Sequence, residues 1–429
     1  MTASAVSIPR RRFSRIIPVA FLMYTIAFMD RLNIGMALPY MEKDLHFNPS
    51  VAGLASGILF IGYLFFQMPG GHLAEKWSAK KFILIALFVW GAFAMLTGLV
   101  TNVTELLIVR FLVGVAEGGV WPATLVLIGH WFPREERARA RNLWVLCLPF
   151  ASVMQAPLSG YILSVSNWHW LFVIEGFIPW VWAIVWAIAI VDWPHQASWL
   201  APEERTFIET SIAAEREDRE MKNVTLGQAL GTKAAWMYTF AYVCQAFPGY
   251  GIAFFLPSLL KKAGFPIGTV GILTALPFAM AIIGILVHGF LSDRSMKRRI
   301  HVMIPMGITG ASLIISSLFQ NSLPILSIIL LIIAGWGLYA FLGPFWTMVE
   351  QTFPADVAGP LMGFVNAIGN LGGFFGPLVV GMLVTSTHGY EAAFLFLGIA
   401  ALFMAFLMSF VRIREGQAAR VSPPRGVSA

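Results

Sequence analysis

The stretch Gly71-His-Leu-Ala-Glu75-Lys76-Trp-Ser-Ala-Lys80-Lys81 returns 218 residues later as Gly289-Phe-Leu-Ser-Asp293-Arg294-Ser-Met-Lys-Arg298-Arg299. Glycine, leucine, acid, base and the closing basic pair all match at that single offset. Each copy follows a long apolar run and precedes another. Further along, Phe132-Pro133 answers to Phe353-Pro354, and Pro157-Leu158 to Pro377-Leu378, at nearly the same spacing. A chain that repeats itself this way is built from two similar halves. Where the repeated unit consists of membrane spans, the halves are related by an axis along the membrane normal, and the substrate site lies at their interface near the midplane.

The composition requires those spans. Of 429 residues, 58% are hydrophobic and 12% charged, about half the charged fraction of a soluble protein. Apolar runs of twenty or more residues recur along nearly the whole length, which defines a polytopic helical membrane protein. Twelve spans can be drawn, the first six near 14–38, 51–73, 82–100, 105–131, 140–164 and 170–191. The second six lie near 234–260, 267–291, 301–320, 323–349, 359–386 and 391–411. The expected organisation is a tail over 1–13, a six-helix bundle over 14–191, a polar linker over 192–233, a second bundle over 234–411 and a tail over 412–429. Within the linker, Pro202-Glu203-Glu204-Arg205 opens a surface helix, and Leu226–Leu230 suggests a second short one.

Orientation follows from the basic residues. With the N-terminus inside, 24 of the 29 Lys and Arg fall in cytoplasmic segments and only Lys43, Lys261 and Lys262 in external loops. Both termini are therefore expected in the cytoplasm. The net charge of +7 is this one-sided bias and points to no nucleic-acid partner. Arg10-Arg11-Arg12-Phe13-Ser14 has the look of a twin-arginine signal, but a full span follows without a small-residue cleavage site, so it reads as a cytoplasmic anchor. Cys147 and Cys244 fall inside spans and imply no disulfide framework.

The two repeated loops have a mechanical reading. Gly71 and Gly289 permit close packing of neighbouring helices. Glu75 with Lys76, and Asp293 with Arg294, can cap or salt-bridge helix ends on the cytoplasmic side, forming when that side closes and breaking when it opens. These six residues are candidate gating residues.

Four charges remain at membrane depth: Asp30 and Arg31 in span 1, Arg110 and Glu117 in span 4. Each is costly in a bilayer, and an intramembrane ionisable residue is a functional candidate by default. Seven residues at about 100° each return Glu117 to nearly the face of Arg110, about 10 Å further along the helix. With both acids ionised the four charges cancel; with both protonated they leave a net positive site. Burial disfavours a carboxylate's charged form and a neighbouring arginine favours it, so such acids are suited to exchanging protons. Protonation frees an arginine to hold a carboxylate substrate bidentately. The alternative reading of the same residues is a static network that only holds helices together. At the repeat offset, Arg110 falls on Ile328 and Glu117 on Gly335, so the second half lacks these charges and is expected to supply substrate contacts and gating.

The paired loop motifs, twelve spans and long central linker resemble the major facilitator superfamily over essentially the whole chain. That family's loop motif reads roughly G-x-x-x-D-R-x-G-x-R-R; here Glu75, Lys76 and Ser78 stand at its aspartate, arginine and second glycine. Phe28-Met-Asp30-Arg31-Leu-Asn33-Ile-Gly35 and Arg110-x-x-x-Gly114-x-x-Glu117-Gly118 narrow the likeness to the anion:cation symporter family. Trp131-Phe132-Pro133-x-x-x-Arg137-Ala138, Trp170-x-Phe172-x-x-Glu175-Gly176 and Gly369-Asn370-Leu-Gly372-Gly373 support it. The resemblance implies an all-α fold of two pseudo-symmetric six-helix bundles. It implies proton-coupled uptake of a small organic anion by alternating access, with Asp30 and Glu117 as the proton-carrying pair and Arg31 and Arg110 as anion or coupling partners.

Tyr63, in Ile61-Gly62-Tyr63, is similar to the family's substrate-contacting tyrosine. Gln155, Gln245, Asn366 and Asn370 form a candidate polar lining, though each alone is equally an interhelical hydrogen bond. Trp121, Trp336, Tyr339 and Trp346 lie in or beside spans that line the cavity in such proteins, which makes Trp336 a candidate contact. Glycines 363, 369, 372, 373 and 376 with Pro377 suggest tight packing and a flexible gate in span 11. Glu175, at the start of span 6, reads as an interfacial cap. His130, His169 and His288 lack ligand spacing, so no metal site is expected, and no cofactor beyond the coupling ion, expected to be H+. No G-x-x-x-x-G-K-[ST] loop occurs, which argues against direct ATP coupling, and no catalytic constellation points to an enzyme. The expected setting is a bacterial inner membrane, with lipid around a monomer. Three other readings stay open: a sodium-coupled version of the anion transporter, which residue types do not separate from the proton-coupled one; a drug:proton antiporter of the same superfamily, of whose span 5 motif only Ala156-Pro157-Leu158-Ser159-Gly160 is present; and a non-transporting receptor signalling through the linker.

Overall fold

A computed structural model describes residues 11–220, 226–353 and 355–411. The tails beyond them, part of the linker and Pro354 of the repeated Phe-Pro pair lie outside the described residues. Among those described, twelve helices are long and apolar enough to cross a membrane. Spans 1 to 6 are Arg11–Asp44, Pro49–Lys76, Ala79–Thr97, Val103–Trp131, Glu135–Val165 and Trp168–Ala189. Spans 7 to 12 are Lys233–Lys262, Ile267–Ser295, Arg298–Phe319, Pro324–Thr352, Val357–Thr387 and Glu391–Ser409. The expected linker helices are present at Pro202–Glu220 and Leu226–Leu230. Large apolar side chains point outward, with Ile188 80% and Ile325 75% exposed. Only hydrocarbon makes such a surface favourable, so this is a multi-pass membrane protein.

Without a hydrophobic drive between helices in lipid, close packing of small residues holds the bundle together. Span 4 shows how. A Cβ at Gly114 would sit 1.9 Å from the Leu59 carbonyl oxygen, and one at Gly118 2.4 Å from that of Tyr63. The glycines of Arg110-x-x-x-Gly114-x-x-Glu117-Gly118 therefore press span 4 backbone-to-backbone onto span 2, which fixes the depth and facing of Arg110 and Glu117. Gly114→Ala is expected to cost about 1–3 kcal/mol, read as a fall in the melting temperature of the detergent-solubilised protein.

Four spans are broken. Span 4 interrupts at Gly119, span 5 at Leu146, span 10 at Gly335–Trp336 and again at Phe341, and span 11 at Asn370. The span 4 break and the first span 10 break sit at equivalent places in the repeat. Broken helices are tolerated at membrane depth only where the freed backbone is buried in protein or lines a cavity.

The halves meet tightly toward the face opposite Arg11 and Val411, the first and last described residues, which mark the end-bearing face. Gly53 packs on the Pro377 carbonyl, Gly381 on that of Pro49, Gly271 on that of Ala156 and Gly35 on that of Ala253; in each case a Cβ would fall 2.2–2.5 Å from the oxygen. Near the end-bearing face the links are fewer: Arg141 to Glu350 at 2.7 Å and Ser152 to Tyr339 at 3.1 Å. The linker is fastened to the first bundle there, because Arg12, only 1% exposed, is clamped between Glu204 and Glu136, each at 2.5 Å. Asp192 accepts from the Ser78 hydroxyl at 2.5 Å and the Lys80 amide at 2.9 Å, tying the linker to the start of span 3.

In this state the charges of the first loop motif make none of the contacts expected when the end-bearing face is closed. The N-cap of span 3 is Ser78, with Asp192 behind it. Glu75 and Lys76 are exposed and make no ion pair among the described residues. In the second motif Asp293 pairs with Arg298, the first residue of span 9, as expected of an acid that bridges to a helix end, while Arg294 is exposed. Gly71 does pack closely, against Pro122; Gly289 has no atom near its missing Cβ. The physical reason is local: Glu75 projects from the last turn of span 2 into open space on the less tightly packed face.

Candidate functional site: a buried charge cluster above a central cavity

All four intramembrane charges are buried, between 1% and 3% exposed, and they converge where spans 1 and 4 cross. Their pairing is uneven. Arg31 holds Glu117, with Nη2 donating to Oε2 at 2.9 Å and Nε to the same oxygen at 3.3 Å. The Arg31 guanidinium lies 4.7 Å from the Tyr63 ring centre and within 6 Å of the Phe28 and Phe60 rings. Aromatic faces attract a cation without neutralising it, so Tyr63 supports Arg31 where substrate contact was expected.

Asp30 has no cation within ion-pair distance among the described residues. Its Oδ2 accepts from the Trp90 indole at 2.6 Å, and Oδ1 accepts from the Asn33 amide at 3.5 Å. Arg110 has no carboxylate partner among the described residues; its Nη1 and Nη2 donate to the Asp30 and Arg31 backbone carbonyls at 3.5 and 3.4 Å. Four buried polar atoms of this region lack any hydrogen bond: Arg110 Nε, Glu117 Oε1, Asn33 Oδ1 and Glu175 Oε2. Native interiors rarely leave such atoms unmet, and a concentration of them needs an explanation.

Beside the cluster, between the two halves, lies a cavity of about 60 Å³. It is too small for a sugar acid, since ligand pockets run to about 300 Å³ and more. Phe28 and Leu32 of span 1 and Tyr242, Gln245, Tyr250 and Asn370 of the second half are among its lining residues. Tyr250 connects the two features, its ring packing on Phe60 at 4.5 Å and lying within electrostatic reach of Arg31. The second half dominates this lining. A larger opening of about 570 Å³, with Glu42, Asn48, Lys261, Lys262 and His388 around it, faces away from the chain's ends.

The remaining candidates separate. Gln245 and Asn370 line the cavity, and Asn370 sits at the span 11 break, its side chain donating to the Asn366 carbonyl at 2.9 Å. Asn366 is half-buried one turn away and does not line the cavity. Gln155 is buried in a different network, donating to Ser159 at 2.8 Å, and Ser159 in turn donates to Glu175 at 2.6 Å. Trp336 turns toward span 8, its ring 6.0 Å from His288, because its own backbone is pressed onto Gly284. Of the other aromatics, Tyr339 lines the cavity, Trp121 packs with Tyr24 and Trp144, and Trp346 with Tyr242.

Two functional-looking residues escaped sequence reasoning. Trp90 is fully buried and supplies the donor for Asp30; an indole N–H in mid-span has to find a partner, which was the available signal. Glu175 is not an interfacial cap. It is 2% exposed, and the N-cap of span 6 is Asn167, eight residues earlier, so about two helical turns carry Glu175 inward.

Comparison with known proteins agrees with this geometry. The family model described as Major Facilitator Superfamily matches residues 20–268 and 238–427, and the chain belongs to that superfamily. It is 29% identical over 399 residues to a putative tartrate transporter of Agrobacterium vitis, covering 92% of this chain and 88% of that one. It is 28% identical over 405 residues to a quinolone resistance transporter of Acinetobacter baumannii, covering 92% and 93%. In fold it is similar to a crystallised D-xylose-proton symporter, with a TM-score of 0.77 at 14% identity, covering 94% of this chain and 99% of that one. The protein is therefore a membrane transporter and not an enzyme.

Proposed function

We propose that the protein is a proton-coupled symporter for a small organic anion, oriented with both termini in the cytoplasm, as the distribution of basic residues directs. The observation that carries this is the Arg31–Glu117 pair at 2.9 Å, buried beside an unpaired Arg110 and bordering the cavity through Phe28 and Tyr250. While Glu117 is ionised it occupies Arg31. A proton on Glu117 cancels the attraction and leaves Arg31 and Arg110 as two cations facing an interface that then favours an incoming carboxylate. Proton and anion thus bind together or not at all. Asp30, held by the Trp90 indole, is the second proton carrier, its charge set against Arg110 across the span 1 backbone. Gln245 and Asn370 offer hydrogen bonds to hydroxyl or carbonyl groups of the bound anion, and the half-broken spans 10 and 11 provide the moving wall.

The likeness to a putative tartrate transporter makes hydroxy dicarboxylates the first compounds to test, followed by sugar acids and aromatic carboxylates. Counterflow in proteoliposomes is the test. Liposomes loaded with unlabelled tartrate, galacturonate or benzoate are expected to take up the matching labelled anion. A protein that binds such anions, by the thermal shift they cause, yet exchanges none is a receptor and not a carrier.

A second reading, proton-driven drug export, is favoured by one observation, the likeness to a quinolone resistance transporter. Two buried arginines, one with no carboxylate partner, suit anions better than cationic drugs. Counterflow of a labelled quinolone without counterflow of any carboxylate would favour export.

A further inference from the structure

We infer that Glu175 is a third proton-carrying carboxyl, held beside Asp30 by Asn33 and forming the stretch of the proton route nearest the face that bears Asp44 and Trp168. The inference rests on the proton-coupled reading above.

Glu175 is placed as such a role requires. Span 6 begins at that face, at Trp168, and seven residues bring the chain about 10 Å into the membrane. Asp30 lies deeper from the same face, since span 1 runs toward it and ends at Asp44. A proton entering from that side passes Glu175 before it reaches Asp30.

Its surroundings suit proton exchange and not charge pairing. No lysine or arginine lies within ion-pair distance of Glu175 among the described residues, although the carboxyl is 2% exposed. One oxygen accepts from the Ser159 hydroxyl at 2.6 Å, and Gln155 backs that serine at 2.8 Å. The other oxygen has no partner. A buried carboxylate with one hydrogen bond and no cation is an uncompensated charge, which a proton removes. A purely structural glutamate has no reason to stay in that state, because glutamine would satisfy Ser159 without a charge.

Asn33 joins the two acids. Its amide donates to Asp30 at 3.5 Å, it lies close enough to Glu175 to act on that carboxyl, and its own Oδ1 is unpartnered. Two carboxylates held beside one amide repel each other when both are ionised, so a proton on one makes charge on the other less costly. Asn33 itself carries no proton, since its amide donates to Asp30 and its Oδ1 accepts from neither acid; it keeps the two carboxyls adjacent, and each takes up and gives up its own proton. Ser159 can turn its hydroxyl from one acceptor to another, and Gln155 keeps it in place.

The test uses the whole transporter in proteoliposomes with wild type, E175Q, E175D and D30N side by side. Counterflow, which needs no net proton movement, is expected to stay within about twofold of wild type in E175Q, whereas uptake driven by an imposed pH gradient falls about tenfold or more. E175D restores part of the driven uptake. Infrared difference spectra between acid and alkaline conditions are expected to lose a protonated-carboxyl band in E175Q, and to show the Asp30 band shifted relative to wild type. If E175Q keeps both driven uptake and the infrared band, Glu175 carries no proton and the inference is overturned while proton coupling stands. If E175Q loses counterflow and driven uptake equally at unchanged thermal stability, Glu175 positions substrate or helix and the inference is likewise overturned. If wild type itself ignores the pH gradient, the coupled reading falls and takes this one with it.

Discussion

Replacing Glu117 by glutamine is expected to abolish uphill accumulation while leaving exchange running. Glutamine keeps a carbonyl oxygen for Arg31 and fills the same space under Gly118, so the packing of span 4 on span 2 survives. What it removes is the charge. Arg31 in E117Q is permanently in the state that wild type reaches only on protonation, and the site binds its anion without waiting for a proton. For one proton per anion, each unit of imposed pH difference supports about a tenfold concentration ratio in wild type, worth about 1.4 kcal/mol. E117Q should equilibrate at a ratio near one while its counterflow stays within a few-fold of wild type. Labelled uptake under a pH gradient and labelled counterflow, measured on one preparation, separate the two. Retained accumulation in E117Q would move the coupling role elsewhere in the cluster.

Replacing Arg31 has the largest effect on binding and also on stability. In R31Q the Glu117 carboxylate keeps its burial and loses the one cation within ion-pair distance among the described residues, which costs roughly 3–5 kcal/mol when one partner of a buried pair is deleted. The anion loses its bidentate donor, so binding is expected to fall by about 2–5 kcal/mol, thirty-fold or more. Lysine is no substitute, because the two contacts to Glu117, at 2.9 and 3.3 Å from different nitrogens, need the guanidinium fork. The double variant R31Q/E117Q should recover most of the melting temperature and none of the transport. That non-additivity is the signature of the pair. Equal and additive losses would mean that Arg31 and Glu117 act on separate parts of the protein.

The fold was legible in the sequence because it rests on features that lipid makes conspicuous. Long apolar runs, one-sided basic loops and a motif written twice leave few architectures open, and all twelve spans lie where the apolar runs put them. The charge cluster was legible for the same reason: Asp30, Arg31, Arg110 and Glu117 stand out against an apolar background that gives a charge no other reason to be there. How the charges pair was not legible. Spacing on one helix puts Arg110 and Glu117 on a common face about 10 Å apart, too far for contact, and nothing in a linear chain says that span 1 slides in between so that Glu117 meets Arg31 and Arg110 meets backbone carbonyls. Glu175 was misplaced because a glutamate eight residues into a span looks like an end. Only the packing of Ser159 and Asn33 around it shows that the helix carries it inward. Trp336 was misplaced because its facing depends on a helix break at Gly335–Trp336 that shifts the register of span 10, and the repeat motif gives no sign of that shift.

The loop motifs teach a related point. Their charges are readable, yet their partners depend on which face of the transporter is open. With the halves locked by backbone-close glycines on one face, Glu75 stands free and Asp192 and Ser78 do the capping. The gating role of Gly71, Glu75, Lys76, Gly289, Asp293 and Arg294 belongs to a comparison of two states, and cross-linking across the end-bearing face with and without substrate addresses it.

The account's central claim is that one buried pair makes anion entry conditional on proton entry. It is tested most directly by recording the pH of a lightly buffered medium around proteoliposomes when a transported carboxylate is added. Wild type is predicted to draw protons in with the anion, so the medium turns alkaline in step with labelled uptake, and E117Q is predicted to give no such change while it still exchanges label. Anion uptake by wild type with no alkalinisation, or alkalinisation undiminished in E117Q, would contradict the claim.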